Sequence, residues 1–315
     1  MSSLLSKSTS RSKSRAESTP ATGASSVGST PSTSRHSVMT SSQLAMTGLY
    51  PPQTYKNLNE LAKTVAATKE KLKSQDISPY LSFKHVSAQD FKFLDENRAK
   101  LCNTVRLSYF GDISVLIIKL VTPEHETAHN QLAQVLAPII LRDMGVDEDE
   151  WLAQGAKRYT GQNASEKEAD RSWRNVNLRP ARGSWPHFVI EAGVSESMPR
   201  LRQDAAWWIS HSGGHVLLVL LIKVSTTTKT IIFEKYFPKP RAQPGTRART
   251  TWGPIWEPEL ISTTEVRHGA KPTVQGAPIV LEFDRVIGRP PVQPEQDILY
   301  TDRMLLRLAR QVLDN

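Results

Sequence analysis

The chain is poor in cysteine, in long apolar runs and, over its first 48 residues, in acid. A single cysteine, Cys102, among 315 residues excludes an internal disulfide framework and any cysteine-built zinc site. The longest unbroken apolar run, residues 216–222, falls far short of the roughly 20 residues that cross a bilayer, so no membrane partner is expected. Glu17 is the only carboxylate before residue 49, against Lys7, Arg11, Lys13, Arg15 and Arg35, and this stretch carries +4 of the overall +9. Apolar residues amount to 38%, below the usual share of about 45–50% for a fully folded chain. The deficit concentrates in residues 1–48, almost wholly Ser, Thr, Ala, Gly and Pro. Ordering them would cost backbone entropy with nothing to bury, so they read as a disordered basic tail. No apolar segment of the secretory kind follows the start. An intracellular location is expected, nuclear or cytoplasmic, with mitochondria left open by the acid-poor, Ser- and Arg-rich beginning.

What is present is a regular succession of periodic segments. Leu58, Leu61, Val65 and Leu72 recur at helical spacing and predict one amphipathic helix in a helical lead-in over 49–103, with a second helix near 88–97. From residue 104 to 315 an α/β domain is expected. Two β-rich runs, 105–110 and 113–121, flank Gly111-Asp112, a hairpin dipeptide. Pro123 opens a helix with Leu132, Val135 and Leu136 on its apolar face, kinked at Pro138. Strands follow near 157–160, 168–173 and 185–191. Then come a helix with Leu201, Ala205 and Trp208 inward, an unbroken apolar strand over 216–224 that reads as covered on both faces, and a strand at 229–237. Residues 238–258 are rich in Pro, Arg and Gly and read as an exposed loop; strands near 260–266 and 279–283 and a helix using Leu305, Leu308 and Val312 close the chain. Helices on both sides of a mixed sheet are the expected architecture.

Two carboxylates stand out in that frame. Asp170 lies in one expected strand and Glu191 ends the next, so a turn between adjacent strands brings them to one end of the sheet. Paired hard oxygens of this kind suit Mg²⁺, which polarises a phosphodiester and helps ionise a water. Glu126 or Glu124, at the start of the preceding helix, would complete the shell. Lone acids at strand ends are more often solvated or paired with arginine, and Arg171 and Arg202 are the partners at hand.

The order Glu126, Asp170, Glu191 in these elements resembles the PD-(D/E)XK nuclease superfamily, the restriction endonuclease-like fold. The blocks KEADRSW (167–173), WPHFVIEAGVSES (185–197), LRQDAAWWISHSGG (201–214) and VLLVLLIKV (216–224) are similar to a group of uncharacterised fungal proteins assigned to that fold. The resemblance implies an α-β-β-β-α-β core, metal ligation by Asp170 and Glu191, Mg²⁺ as cofactor and DNA or RNA as partner. It also exposes a departure: the lysine that follows the glutamate by two residues in the superfamily is Gly193 here. Arg200, Arg202 or Gln203 on the next helix are candidate substitutes, Arg202 and Gln203 foremost, with Lys223 a weaker one. Without a substitute the fold would serve as a non-catalytic interaction scaffold.

A competing motif is His125-Glu126-Thr127-Ala128-His129, the HExxH string in which two histidines hold zinc and the glutamate activates water. Pro123 just before it, and Asn130 and Gln131 just after, do not suit a zinc protease helix, and no third ligand is identifiable beyond the available Glu148, Glu150 and Glu166. Arg241, Arg247 and Arg249, with Lys235, Lys239, Trp252 and Trp256, form a basic and aromatic stretch that suits a phosphate backbone, although such stretches are more often solvated loops. Trp207 and Trp208 read as core. Ser195 and Ser197 read as turn and cap residues.

Overall fold

The computed structural model describes residues 39–101, 105–194, 198–241 and 254–314. The described residues start inside the stretch expected as tail, and they open on a helix. Helix α1 (Ser41–Ala45) is capped by Thr40, whose hydroxyl accepts from the Gln43 N–H while the Gln43 side chain accepts from the Thr40 N–H, a reciprocal cap that satisfies orphan donors. Helix α2 (Leu58–Leu72) starts at Asn57 and buries Leu58, Leu61 and Val65. Helix α3 (Ala88–Glu96) has the same reciprocal cap between Ser87 and Asp90. The lead-in is not purely helical, however. Besides β1 (Gln53–Thr54) it contains β2 (Tyr80–Lys84), whose alternating Leu81 and Phe83 are buried.

Strands β3 (Val105–Phe110) and β4 (Val115–Leu120) form the expected hairpin. Its turn is longer than Gly111-Asp112, running as a 3₁₀ turn over Gly111–Ile113 with Ser114 left-handed at φ 50°. Helix α4 (Pro123–Ala137) continues as a wider π-helical segment over Pro138–Asp143. Pro138 lacks the N–H that the α-helical ladder needs, and the wider turn carries the chain past it.

Next come β5 (Leu152–Ala153), β6 (Arg158–Thr160), β7 (Ser165–Glu168) and β8 (Arg171–Arg174). The run expected as one strand over 168–173 is therefore broken. Strand β7 pairs with β3, whereas β8 pairs with β9 (Phe188–Val194), so the chain changes sheet at Ala169-Asp170. Helix α5 (Met198–His211), β10 (Leu218–Ser225), β11 (Thr230–Pro240) and β12 (Trp256–Arg267) follow. The expected loop over 238–258 is strand at both ends, with Pro240 opposite Trp256; Arg247, Arg249 and Trp252 lie outside the described residues, as do Cys102, Ser195 and Ser197. The chain finishes with β13 (Thr273–Gln275), β14 (Ile279–Leu281), α6 (Phe283–Ile287), β15 (Ile298–Tyr300) and α7 (Asp302–Leu313).

The result is a mixed α/β arrangement with one sheet ordered β1-β2-β4-β3-β7-β6 and another β13-β12-β11-β10-β9-β8-β5. Strands β9 and β10 run parallel, joined through α5; β10–β11 and β8–β9 are antiparallel. The mixed sheet and flanking helices are present, while the strands between α4 and α5 divide between two sheets, so the α-β-β-β-α-β order is not reproduced strand for strand. Pleat alternation then sorts the side chains. Phe188, Ile190 and Ala192 of β9 join α4 and α7 in one core. Val189, Val219 and Leu221 face the other way, meeting Leu201, Ala205 and Trp208 of α5 together with Val115 and Ile117 of β4. The opposite face of the first sheet, with Leu107, Leu116 and Ile118, packs on α2 and α3. Each Val, Leu, Ile or Phe among them contributes roughly 1.5–3 kcal/mol by leaving water. Beyond α5 the chain turns at Gly213 and Gly214, and the ring of Trp256 lies where a Cβ on Gly214 would come within 2.5 Å of it, so only glycine fits that left-handed position.

Candidate active site

The layer between the two sheets contains an ionic cluster in an otherwise apolar surrounding. Its placement follows from strand parity. On β4, Val115, Ile117 and Lys119 share the face that meets α5, while Leu116 and Ile118 point to α2 and α3. On β9, Glu191 shares a face with Val189. Lys119 and Glu191 are thus directed into the same layer from opposite sheets, and Asp170 enters at the point where the chain crosses between them.

Asp170 and Glu191, the two acids singled out from the sequence, converge on one cation. Lys119 Nζ lies 2.7 Å from Asp170 Oδ2 and 3.8 Å from Glu191 Oε2, and it donates to the Ala192 carbonyl at 2.5 Å. The Ala192 N–H donates to the same Asp170 oxygen at 2.8 Å, and His125 Nε2 is 3.0 Å from it. Glu191 Oε1 accepts from the indole N–H of Trp208 at 2.6 Å and lies 3.4 Å from Lys167 Nζ. Lys167 in turn pairs with Asp204 at 2.9 Å, and Arg200 reaches Asp204 at 3.2 Å. Three cations, Lys119, Lys167 and Arg200, therefore balance Asp170, Glu191 and Asp204, all buried. Burial of charge on this scale is tolerable only when every member is paired.

The titration behaviour reflects that balance. Burial alone would raise the Asp170 carboxyl, but His125 and Lys119 outweigh it and hold Asp170 well below the usual carboxylate range. Burial wins at Glu191, which Lys167 relieves only in part and Asp170 aggravates; its carboxyl is pushed up to about 7. Burial also draws His125 below the ordinary imidazole value, more than Asp170 lifts it.

The outer rim is built from α4 and β3. Arg106 Nη2 bonds Glu126 Oε1 at 3.0 Å, and its Nε is 3.8 Å from Asp170 Oδ1, a buried oxygen with no hydrogen-bond partner. Glu126 is part-exposed, and the closeness of His129, with Arg106 beside it, draws its carboxyl down to about 2. It therefore joins the cluster through Arg106, whereas Glu124 lines a different cavity with Thr226 and Lys229. The substitutes expected for the missing lysine do not meet the acids. Arg202 is bound to Glu234 at 2.5 Å. Gln203 lies on the same helix and its buried Oε1 has no hydrogen-bond partner. Lys223 sits opposite Gly193 on β10 with no ion pair among the described residues. Sequence reasoning missed Lys119, Lys167, Asp204 and the polar use of Trp208. One signal was available for two of them: Lys119 is a lone charge within an apolar strand (VLIIKL), and Asp204 lies one turn from Arg200 on the inner stripe of α5.

The donor set fits Mg²⁺ in kind, since Asp170 Oδ2, Glu191 Oε2 and the Ala192 carbonyl offer hard oxygens, while the partnerless Asp170 Oδ1 faces Arg106 instead. The ammonium of Lys119 holds the place where these oxygens converge. His125, Glu126 and His129 also present ligand atoms within 4.8 Å of one another. There, however, Arg106 binds Glu126 and Arg171 donates to His129 Nδ1 at 3.3 Å, so guanidinium groups already engage two of the groups that zinc would need. The described members of the basic stretch are likewise paired: Lys235 with Glu282, Lys239 with Glu259 and Arg241 with Glu257. No described helix is long and apolar enough to cross a membrane.

No family model matches the chain, and no curated protein matches it. Among solved structures it is similar to a candidate nuclease belonging to DUF820 from Anabaena variabilis ATCC 29413, with a TM-score of 0.35 and 8% identity over 64% of this chain and 90% of that one. That likeness is distant, and the chemistry of the cluster rests on its own geometry.

Proposed function

We propose that this chain is a nuclease-like protein of the PD-(D/E)XK kind that hydrolyses phosphodiester bonds of nucleic acid with Mg²⁺. One observation carries the reading: Lys119 reaches Asp170, Glu191 and the Ala192 carbonyl at once, so a lysine absent at Gly193 is supplied from β4. In this reading Asp170 and Glu191 hold Mg²⁺, which would supply Lewis acidity and an activated water. Lys119 neutralises charge developing on the phosphate, and Glu126 acts as an auxiliary acid at the rim. The reading requires Lys119 to withdraw from between the carboxylates when the site is loaded. A second reading, a non-catalytic interaction module, is favoured by the burial and charge balance of the same six groups.

Cleavage of single- and double-stranded DNA and RNA with Mg²⁺ or Mn²⁺ separates the two, using wild type, Asp170→Asn, Glu191→Gln and Lys119→Gln, each checked for native circular dichroism. Catalysis by the cluster predicts loss on the order of 10²-fold or more in each folded variant. No cleavage by wild type supports the module. Equal cleavage by all four attributes the activity to a contaminant.

A further inference from the structure

Most arginines with buried or half-buried surroundings in this protein are matched to acids: Arg98 with Glu168, Arg158 with Asp95, Arg202 with Glu234, Arg289 with Glu150 and Glu295. Helix α7 breaks that habit. Its buried stripe, Leu305, Leu308, Ala309 and Val312, docks on the core, and its outer stripe carries Arg303, Arg307 and Arg310, all exposed. At 100° per residue these three fall within an arc of about 60°, and at 1.5 Å per residue they span about 10 Å. None makes an ion pair or side-chain hydrogen bond among the described residues. Asp302 opens the helix but makes no ion pair with them among the described residues, and Asp314, just beyond the helix, is taken by His268 at 2.7 Å.

The three guanidiniums also line concave surface. A cavity of about 750 Å³ is bounded by His268, Pro272, Arg303, Leu306, Arg307 and Arg310, without a carboxylate. A second, of about 300 Å³, lies on the α4 side of Arg307, where Gln131, Gln134 and Gln311 replace carboxylates as its polar lining. Arg307 borders both, so a cationic trough crosses α7 towards α4. Free guanidiniums desolvate readily and take phosphate oxygens in bidentate fashion, and glutamines both donate and accept.

We propose that this trough binds the phosphate backbone of a nucleic acid. The proposal deepens the nuclease-like reading by naming where the polymer is held, and it uses none of the acid-cluster residues. Helix α4 links the two places: Glu126 at the cluster rim and Gln134 at the trough are eight residues, about 12 Å, apart along one axis. The apolar members of this lining, Val135, Met304 and Leu306, are half-buried within concave surface, which suits a polymer strand better than a lipid layer, where apolar side chains must project between acyl chains.

The test is fluorescence anisotropy of the full chain with labelled 20-nucleotide single strands and 20-base-pair duplexes, DNA and RNA, in EDTA, between 50 and 300 mM salt. The triple variant R303Q/R307Q/R310Q is expected to bind at least about tenfold more weakly, with a salt slope shallower by about 2 to 3, as loss of three phosphate contacts requires. Because the three side chains are exposed and make no ion pair among the described residues, the variant should fold, and R303K/R307K/R310K should restore the slope. Equal affinity and slope in wild type and triple variant, no binding by wild type, or binding of phosphatidylserine vesicles in place of every nucleic acid would each overturn the proposal. Binding that depends on the three arginines without any cleavage in Mg²⁺ upholds the trough and removes the nuclease reading. Cleavage that is indifferent to them does the reverse.

Discussion

Replacing Lys119 by Met tests the central cluster most directly. The side chain is 5% exposed and contacts Asp170 and the Ala192 carbonyl, with Glu191 at 3.8 Å. Methionine has similar length and no charge, so the six-group balance becomes one excess negative charge in the interior. Asp170 keeps His125, the Ala192 N–H and, at 3.8 Å, Arg106; Glu191 keeps Trp208 and Lys167. Leaving a buried charge without its partner costs about 3–5 kcal/mol, which for a chain of this size lowers the melting temperature by roughly 5–8 °C. Thermal unfolding at pH 7.5 reads this. Adding Asp170→Asn to Lys119→Met removes both partners together, and the double variant should be less destabilised than the two single losses combined, by about 2 kcal/mol. The penalty should also shrink at pH 5. Lys119 is one of the groups lowering the Glu191 carboxyl, so without it Glu191 takes up a proton more readily and sheds the excess charge. A Lys119→Met variant within about 1 kcal/mol of wild type, with no coupling to Asp170, would refute the reasoning.

Three further outcomes are expected. Glu191 holds its proton to about pH 7 in the fold, against an ordinary value of 4.5. Between those values the folded state therefore binds more protons than the unfolded, and Glu191 withdraws up to about 3 kcal/mol of stability as pH rises; melting curves from pH 4 to 8 should show this limb flattened in Glu191→Gln. Trp208→Phe removes the indole donor to Glu191 and should cost about 1.5–3 kcal/mol in urea unfolding, the loss being greater at pH 8 than at pH 5. Gly214→Ala meets both a φ of 78° and the Trp256 ring and should destabilise by about 1–3 kcal/mol. Gly213→Ala, equally left-handed but facing open space, should lose less by the same measurement.

Much of the secondary structure was legible from local rules. Asn57 and Ser87 cap where capping residues are preferred, Pro123 opens its helix, and the unbroken run around Leu218–Ser225 is a strand buried on both faces. Strand Tyr80–Lys84 was hidden because five residues of weak alternation between two helices gain their stability from pairing with β4, a partner more than thirty residues away. The division of 165–174 between two sheets was hidden for a related reason. Residue types define a strand's faces, but not which sheet it joins.

The candidate site divides in the same way. Sequence alone singled out Asp170 and Glu191, and composition by itself determined that this chain holds no internal disulfide framework, no cysteine-built zinc site and no apolar run as long as a membrane-spanning helix needs. Only the tertiary structure decided that Lys119 stands between those acids, that Lys167, Arg200 and Asp204 complete their charge balance, and that Arg202 belongs to Glu234. Periodicity acts along one chain segment and is recorded there. The pairing of charges across two sheets depends on pleat parity, on the crossing at Ala169-Asp170 and on the dry layer around α5, and these exist only once the distant segments have packed.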